Sequence, residues 1–521
     1  MSRTDRRGDA VELGAPDGSP GAGDGTASRR GVAARLRVTD ERLPRVLALL
    51  GLALLPTVLV TAVVLPLTPD RLARESAGLI DELGVWRWTA DLPWPVPEGT
   101  SLAVVLAALS CCAFLAYGLA LAVCWDRPAS RRSLLAVLLT AAVLLTVSAL
   151  ALPTQSSDMV DYLLSGRVAA DHGASPYEVA PRSFPDDPLL PYASGDYTDD
   201  AEAKPALWIS AAVSVAAVAG DDPGVAVLVL RLVFLGVNTL NLALVAAVLR
   251  RWRPRHLLAG LVLYGWSPVV ALHGQAKFDS LMATFALLAA LLLVSARRHG
   301  VMPVLWMSVL VKVLTLPLLA AYVLSEAVTR QWRRLAVGTA LVAVVTVLAY
   351  SPFDGHVGLL VEHLALAERG GSSLPGPMGL LAPLVVVGLV AWVGVTSAGD
   401  AERLVQGWAL IALGTALLTP IGWSWYLITP LAVVSLSGER WRTAGIVALS
   451  AVAFATDLWT RSSGPLNGLP SPDVGRSAVY VAGLAAMALV AAAVLVATRR
   501  RRPPSSPARS RGTVGVRPPP G

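Results

Sequence analysis

Residues 133–166 read SLLAVLLTAAVLLTVSALALPTQSSDMVDYLLSG, and the character of the chain changes at Pro153. Before Pro153 runs a stretch of about twenty uncharged residues, enough helix at about 1.5 Å per residue to cross a bilayer core of about 30 Å. After it the chain is polar as far as Pro205. This loop carries ten acidic residues, Asp158, Asp161, Asp171, Glu178, Asp186, Asp187, Asp196, Asp199, Asp200 and Glu202, against Arg167, Arg182 and Lys204. Loops longer than about a dozen residues are mostly functional or unstructured. An acidic, aromatic-bearing loop delivered by an apolar span is therefore read as the site, and the apolar remainder as its membrane scaffold.

The rest of the chain has the same bias. Of 521 residues, 55% are hydrophobic and 15% charged, with a mean hydropathy of +0.60; soluble domains carry about 25% charged residues. The apolar residues fall in runs of span length, so the fold class is all-α and the chain a polytopic membrane protein. A β-barrel would show short alternating strands instead. The net charge of +7 does not argue for a nucleic-acid partner, because the arginines sit in short loops and tails, as cytoplasmic segments require. Cys111, Cys112 and Cys124 share one apolar run and provide neither a disulfide framework nor a metal site. The six histidines show no HxxxH or HExxH spacing, so no metal centre is expected.

Residues 1–42 and 499–521 read as disordered basic tails, both cytoplasmic, flanking a membrane domain at 43–498 whose exterior loop is 153–205. The first apolar run begins only after Leu43, so no secretory signal is expected. Spans are read near 45–68, 101–125, 133–153, 224–250, 256–274, 278–296, 335–352, 375–396, 402–420, 424–437, 441–459 and 476–498, about 12 in all. Leu207 to Gly220 is too short to cross easily and is read as an interfacial or re-entrant helix. The segment 301–324, with Lys312 and Pro317 inside, is read as a broken re-entrant hairpin, because a full crossing would place Arg330, Arg333 and Arg334 outside. Helical spacing near 79–88 and 357–364 suggests interfacial loop helices.

Asp158 follows the third span closely. A tethered carboxylate just above the membrane can accept a proton from a substrate hydroxyl; it can equally be a helix N-cap. Asp161 would share its helix face, to support it or to hold a cation with it. Arg231 lies about 12 Å inside its span, and Lys312 lies mid-segment. Buried membrane charges cost about 2.5–3.5 kcal/mol and mark function by default, though each can also snorkel to the interface. Both could meet a phosphate. Lys277 and Asp279, in HGQAKFDSL, are a polar turn or part of a site. Trp423, Trp425 and Tyr426 form an interfacial belt or a platform for a sugar or prenyl chain. Tyr177 orients the loop or stacks on a sugar, and the run DYTDDAE reads as a solvated face rather than a metal site.

The order Asp158, Tyr162, Gly166, then Pro176-Tyr177, followed by Asp279 in its turn, LVKVLTLPLL around Lys312 and WSWYL at Trp425-Tyr426, resembles the GT-C membrane glycosyltransferases. The closest likeness is to polyprenyl-phosphate-mannose-dependent α-(1→6)-mannosyltransferases, over most of 45–498. The chain departs from them at Lys204-Pro205-Ala206-Leu207-Trp208 and at Asp161. The resemblance implies a GT-C-like fold and a hexosyltransferase that moves mannose from a polyprenyl-phosphate sugar to a glycan or glycolipid acceptor outside the cell membrane. It implies inversion at the anomeric carbon, with Asp158 as catalytic base. Asp161, Tyr162, Tyr177, Arg231, Lys277, Asp279, Lys312, Trp425 and Tyr426 would bind substrate, with Arg231 and Lys312 on the phosphate. No cofactor is implied, since the lipid-linked donor is itself a substrate; membrane lipids are the remaining partners. The rival readings are a transporter or flippase of a lipid-linked sugar, which would not need the acidic loop, and a non-catalytic scaffold subunit.

Overall fold

The structure, a computed structural model, describes residues 38–60, 100–151, 158–193, 198–202, 204–275, 277–353, 377–418 and 424–462. Among these residues the fold is all-helical. In chain order the α-helices are α1 (Leu43–Leu59), α2 (Thr100–Cys124), α3 (Arg131–Leu150), α4 (Asp158–Ala170), α5 (Ala206–Ala219), α6 (Pro223–Trp252), α7 (Leu257–Gly265), α8 (Pro268–His273), α9 (Asp279–Val294), α10 (Val301–Val311), α11 (Leu316–Val328), α12 (Trp332–Tyr350), α13 (Pro377–Thr396), α14 (Ala401–Leu418), α15 (Ile428–Val434) and α16 (Arg440–Ser462). The expected interfacial helices near 79–88 and 357–364, the last span at 476–498, Trp423, residues 1–37 of the N-terminal tail and the C-terminal tail lie outside the described residues; the end of the N-terminal tail is placed, with Arg127 donating to the Val38 carbonyl at 2.7 Å.

Local chemistry sets most boundaries. Ser130 caps α3, its Oγ accepting the Ser133 amide at 3.1 Å. Asp222 caps α6 by accepting the Gly224 and Val225 amides at 2.8 and 3.0 Å, with Pro223 as the first helical residue. The run at 256–274 is two helices rather than one continuous helix. Pro268 has no amide proton and disfavours helical backbone at Ser267, so α7 ends and α8 starts afresh.

Three described helices are long and apolar enough to cross a membrane: Arg131–Leu150, Pro223–Trp252 and Trp332–Phe353, the last taking in a short 3-10 turn after α12. Leu43–Leu59, Ala206–Ala219 and Asp279–Val294 are apolar but shorter. In α3 the outward face shows Leu135, Leu139 and Val143, while Val137, Ala141, Leu144 and Leu145 are buried. A helix that is apolar on both faces, with leucine and valine on the outer one, suits a lipid environment.

The chain doubles back at Lys312. That residue has extended backbone (φ −161°, ψ 134°), and a 3-10 turn, Val313–Thr315, separates α10 from α11. The Tyr322 hydroxyl donates to the Arg298 carbonyl at 2.9 Å, and Arg298 and Arg334 each pair with buried Glu326 at 3.2 Å. The far end of α11 therefore lies beside the residues that open α10. The break and return have the form of the hairpin expected at 301–324, and they gather the flanking arginines at one end.

A buried polar network holds the turn between α8 and α9. Asn238 on α6 donates to the Gly274 carbonyl at 2.8 Å, and Asn241 donates to the Ser280 carbonyl at 2.9 Å. Tyr264 donates to Asn238 at 2.7 Å, and Thr284 to Asn241 at 2.7 Å. Networks satisfied in this way specify a single arrangement, and here they fix the backbone on either side of Lys277 and Asp279.

The loop has its own smaller core, in which Tyr162, Leu163, Tyr177, Trp208 and Ile209 pack with Phe234 and Phe278. The segment at 206–219, expected at the interface or re-entrant, forms α5 and packs along α4. The two helices touch at Gly166, where a methyl group would come within 2.5 Å of the Ala212 carbonyl oxygen. Gly166→Ala is expected to separate them at a cost of about 1–3 kcal/mol, read as a lower melting temperature of the purified protein.

Candidate functional site

Asp158 is the first residue of α4. Its Oδ2 accepts from the Tyr162 hydroxyl at 3.1 Å and is in close contact with Lys277 Nζ. Lys277 Nζ also lies 3.9 Å from the Trp425 ring centroid. Two residues along, Asp279 accepts from Lys312 Nζ at 3.1 and 3.2 Å, and that ammonium lies 3.8 Å from the Tyr426 ring centroid. Thr429 of α15 donates to the Asp279 carbonyl at 3.1 Å. Trp425 and Tyr426 share one 3-10 turn, Ser424–Leu427, so neighbouring aromatics cover neighbouring ion pairs. Cation–π contact of this kind adds about 0.5–2 kcal/mol.

The two pairs have opposite polarity toward the open. At the first, the carboxylate of Asp158 is 29% exposed and the Lys277 side chain 1%. At the second, the Lys312 side chain is 30% exposed and Asp279 4%. One pair thus presents an anion backed by a buried cation, and the other presents a cation backed by a buried anion. A buried countercharge holds its partner ionised and oriented, since removing it would strand a charge in a low-dielectric setting.

The remaining expected residues are Tyr162, which adjoins the first pair, and Asp161, Tyr177 and Arg231. Tyr162 packs edge-on against Trp208 (4.5 Å) and Phe278 (5.1 Å). Burial, and then the neighbouring Asp158 charge, push its hydroxyl well above the usual range, so it remains a neutral donor. Asp161 is buried in the same first turn of α4, its carbonyl 3.0 Å from the Ser165 hydroxyl. Tyr177 anchors the loop, donating to the Lys204 carbonyl at 3.0 Å and packing against Phe353. Arg231 is buried in α6 and donates to the Ser148 carbonyl, in the last turn of α3. Of the DYTDDAE run, Asp199 pairs at the surface with Arg182, as a solvated face should, but Glu202 turns inward.

The sequence reading passed over the fastening of the loop. Buried Arg167 reaches Asp187 at 2.9 Å, Asp171 at 2.8 Å, Asp221 at 2.9 Å and the Gly220 carbonyl at 2.8 Å. His172 adds a contact to Asp187 at 2.8 Å and stacks on Phe184. Burial opposes the charge on Asp187, but hydrogen bonds from His172, the Leu189 amide and Arg167 outweigh it and hold the carboxyl below its usual range. Arg167→Ala would strand that carboxylate and is expected to cost about 3–5 kcal/mol. Arg182→Ala, which breaks an exposed pair, should cost under about 1 kcal/mol; thermal unfolding of the two variants compares them.

Also passed over were Lys204 and its partner Glu202, although a signal for them was present. Of 43 basic residues only three are lysines, Lys204, Lys277 and Lys312. All three stand at this site, each against a carboxylate and an aromatic ring. Arginine, with its fixed fork, serves everywhere else.

A helical, apolar fold and a carboxylate at the head of a loop helix, braced by lysines, suit a membrane transferase of sugars. Comparison with known families gives the class its particular form: residues 73–330, just under half of the chain, match the model of the alpha-(1->6)-mannopyranosyltransferase N-terminal domain. Over that segment the chain resembles this family, which supports a mannosyltransferase of the GT-C type. The matched segment includes both ion pairs but not Trp425 and Tyr426. No curated protein and no solved structure matches the chain.

Proposed function

We propose that this protein transfers mannose from a polyprenyl-phosphate donor to a glycan or glycolipid acceptor outside the membrane, inverting the anomeric carbon. The observation that carries the reading is the opposed polarity of the two ion pairs. Asp158 takes the proton of the acceptor hydroxyl as that oxygen forms its bond to the anomeric carbon. The bond from that carbon to the phosphate oxygen breaks, and the phosphate leaves with one more negative charge. Lys312 faces that charge as it develops, where a fixed cation is most effective.

Lys277 acts behind Asp158 as a positioning residue. The gathering of Arg298 and Arg334 on Glu326 supports a multi-pass topology in which these arginines and both termini are cytoplasmic and the 153–205 loop is outside.

The test is reconstitution of the full chain with polyprenyl-phosphate mannose and an oligomannoside. Transfer with inversion is the expected result. Movement of the lipid-linked sugar between leaflets without transfer would overturn the proposal in favour of a transporter.

A further inference from the structure

The geometry points to a third part of the site, formed by Glu202 and Lys204, that binds a sugar ring of the acceptor. The inference rests on the reading of Asp158 as the base that receives the acceptor's proton. Asp158, Tyr162 and Ser165 lie at i, i+4 and i+7 on α4 and so share one face. Ser165 thus stands about 10 Å along the helix from Asp158, about the length of a disaccharide. There the Ser165 hydroxyl donates to Glu202 Oε2 at 2.8 Å. Lys204 Nζ reaches both Glu202 oxygens at 3.0 and 3.1 Å, and the Lys204 amide donates to Oε1 at 3.1 Å. The ammonium stands 4.6 Å from the Trp208 ring centroid and 5.6 Å from that of Tyr162, whose hydroxyl is bonded to Asp158.

Within this one loop, the pairs that hold the fold use arginine: Arg167 on Asp187, Asp171 and Asp221, and Arg182 on Asp199. The pair on the face that carries Asp158 uses lysine. Arginine would commit a fixed fork to the carboxylate, whereas an ammonium has three donors that rotate to new acceptors. Lys204 is 30% exposed and Glu202 10%, so a ligand reaches the ammonium first, and rotation of that ammonium frees the Glu202 lone pairs it occupies. A neutral sugar, each of whose hydroxyls donates and accepts, fits such a pair: it donates to Glu202 and accepts from Lys204. The ring bound there presents its neighbour's hydroxyl to Asp158.

With only three lysines, acylation footprinting of the wild-type full chain reads each ammonium separately by mass spectrometry. A short mannoside should slow acylation of Lys204 and leave Lys312 unchanged, while polyprenyl phosphate should protect Lys312. Unchanged acylation of Lys204 at saturating mannoside would overturn the inference, as would protection of Lys312 by the mannoside instead. In transfer assays Glu202→Gln should raise the acceptor KM about tenfold, the loss of one charged hydrogen bond, with donor KM and kcat at saturating acceptor unchanged. Arg182→Ala should change none of these. Footprinting involves no turnover, so its outcome is separate from that of the Asp158 assignment, which is read in kcat.

Discussion

Asp158→Asn is expected to lower kcat about 1,000-fold while the protein still folds and still binds the polyprenyl-phosphate donor. Asparagine keeps the size of the side chain and can still accept from Tyr162, but it takes no proton. Positioned general bases contribute about 100- to 10,000-fold. The substitution also leaves the Lys277 ammonium, 1% exposed, without its carboxylate, so a loss of stability accompanies it. The double variant Asp158→Asn/Lys277→Gln separates the two effects. It should recover melting temperature, because no charge is left stranded, and recover no activity. Transfer by Asp158→Asn at the wild-type rate would remove Asp158 as the base.

Lys312→Gln is expected to lower kcat/KM for the donor about 100- to 1,000-fold, the usual consequence of removing a fixed group that stabilises developing charge. The acceptor KM should stay where it is, since the acceptor meets the other pair. Breaking the pair leaves Asp279, 4% exposed, as a stranded carboxylate. The cost lies toward the lower end of about 3–5 kcal/mol, because Lys312 itself is partly solvated. Lys312→Gln/Asp279→Asn should restore the fold and not the rate. Steady-state kinetics with each substrate varied in turn, alongside thermal unfolding, checks both halves. An unchanged donor kcat/KM would remove Lys312 from the phosphate.

The helical character, most helix positions and a loop helix opening at Asp158 were legible in the sequence. Those properties are local. The apolar run at 133–152 is helical because of its own composition, and Asp158 opens α4 because carboxylates favour the first turn of a helix. The break at Lys312 was legible for a similar reason, since Pro317 and the flanking arginines together argue against one straight span. The break at Ser267 within 256–274 was not read, because the apolar content of the run outweighed the single Pro268.

What the chain could not disclose locally is which charges meet. Asp158 and Lys277 are 119 residues apart, and Lys312 and Asp279 are 33 apart. Lys277 therefore read equally as an ordinary polar turn or as part of a site, and Lys204 as a counterion in an acidic loop. The sequence by itself determined an all-helical membrane chain with an acidic loop headed by Asp158, because hydropathy and helix capping act over a few residues. Only the tertiary structure decided the pairing and its polarity, which carboxylate is backed by a buried ammonium and which ammonium by a buried carboxylate. Burial is a property of packed neighbours, and those neighbours come from helices far apart in the chain.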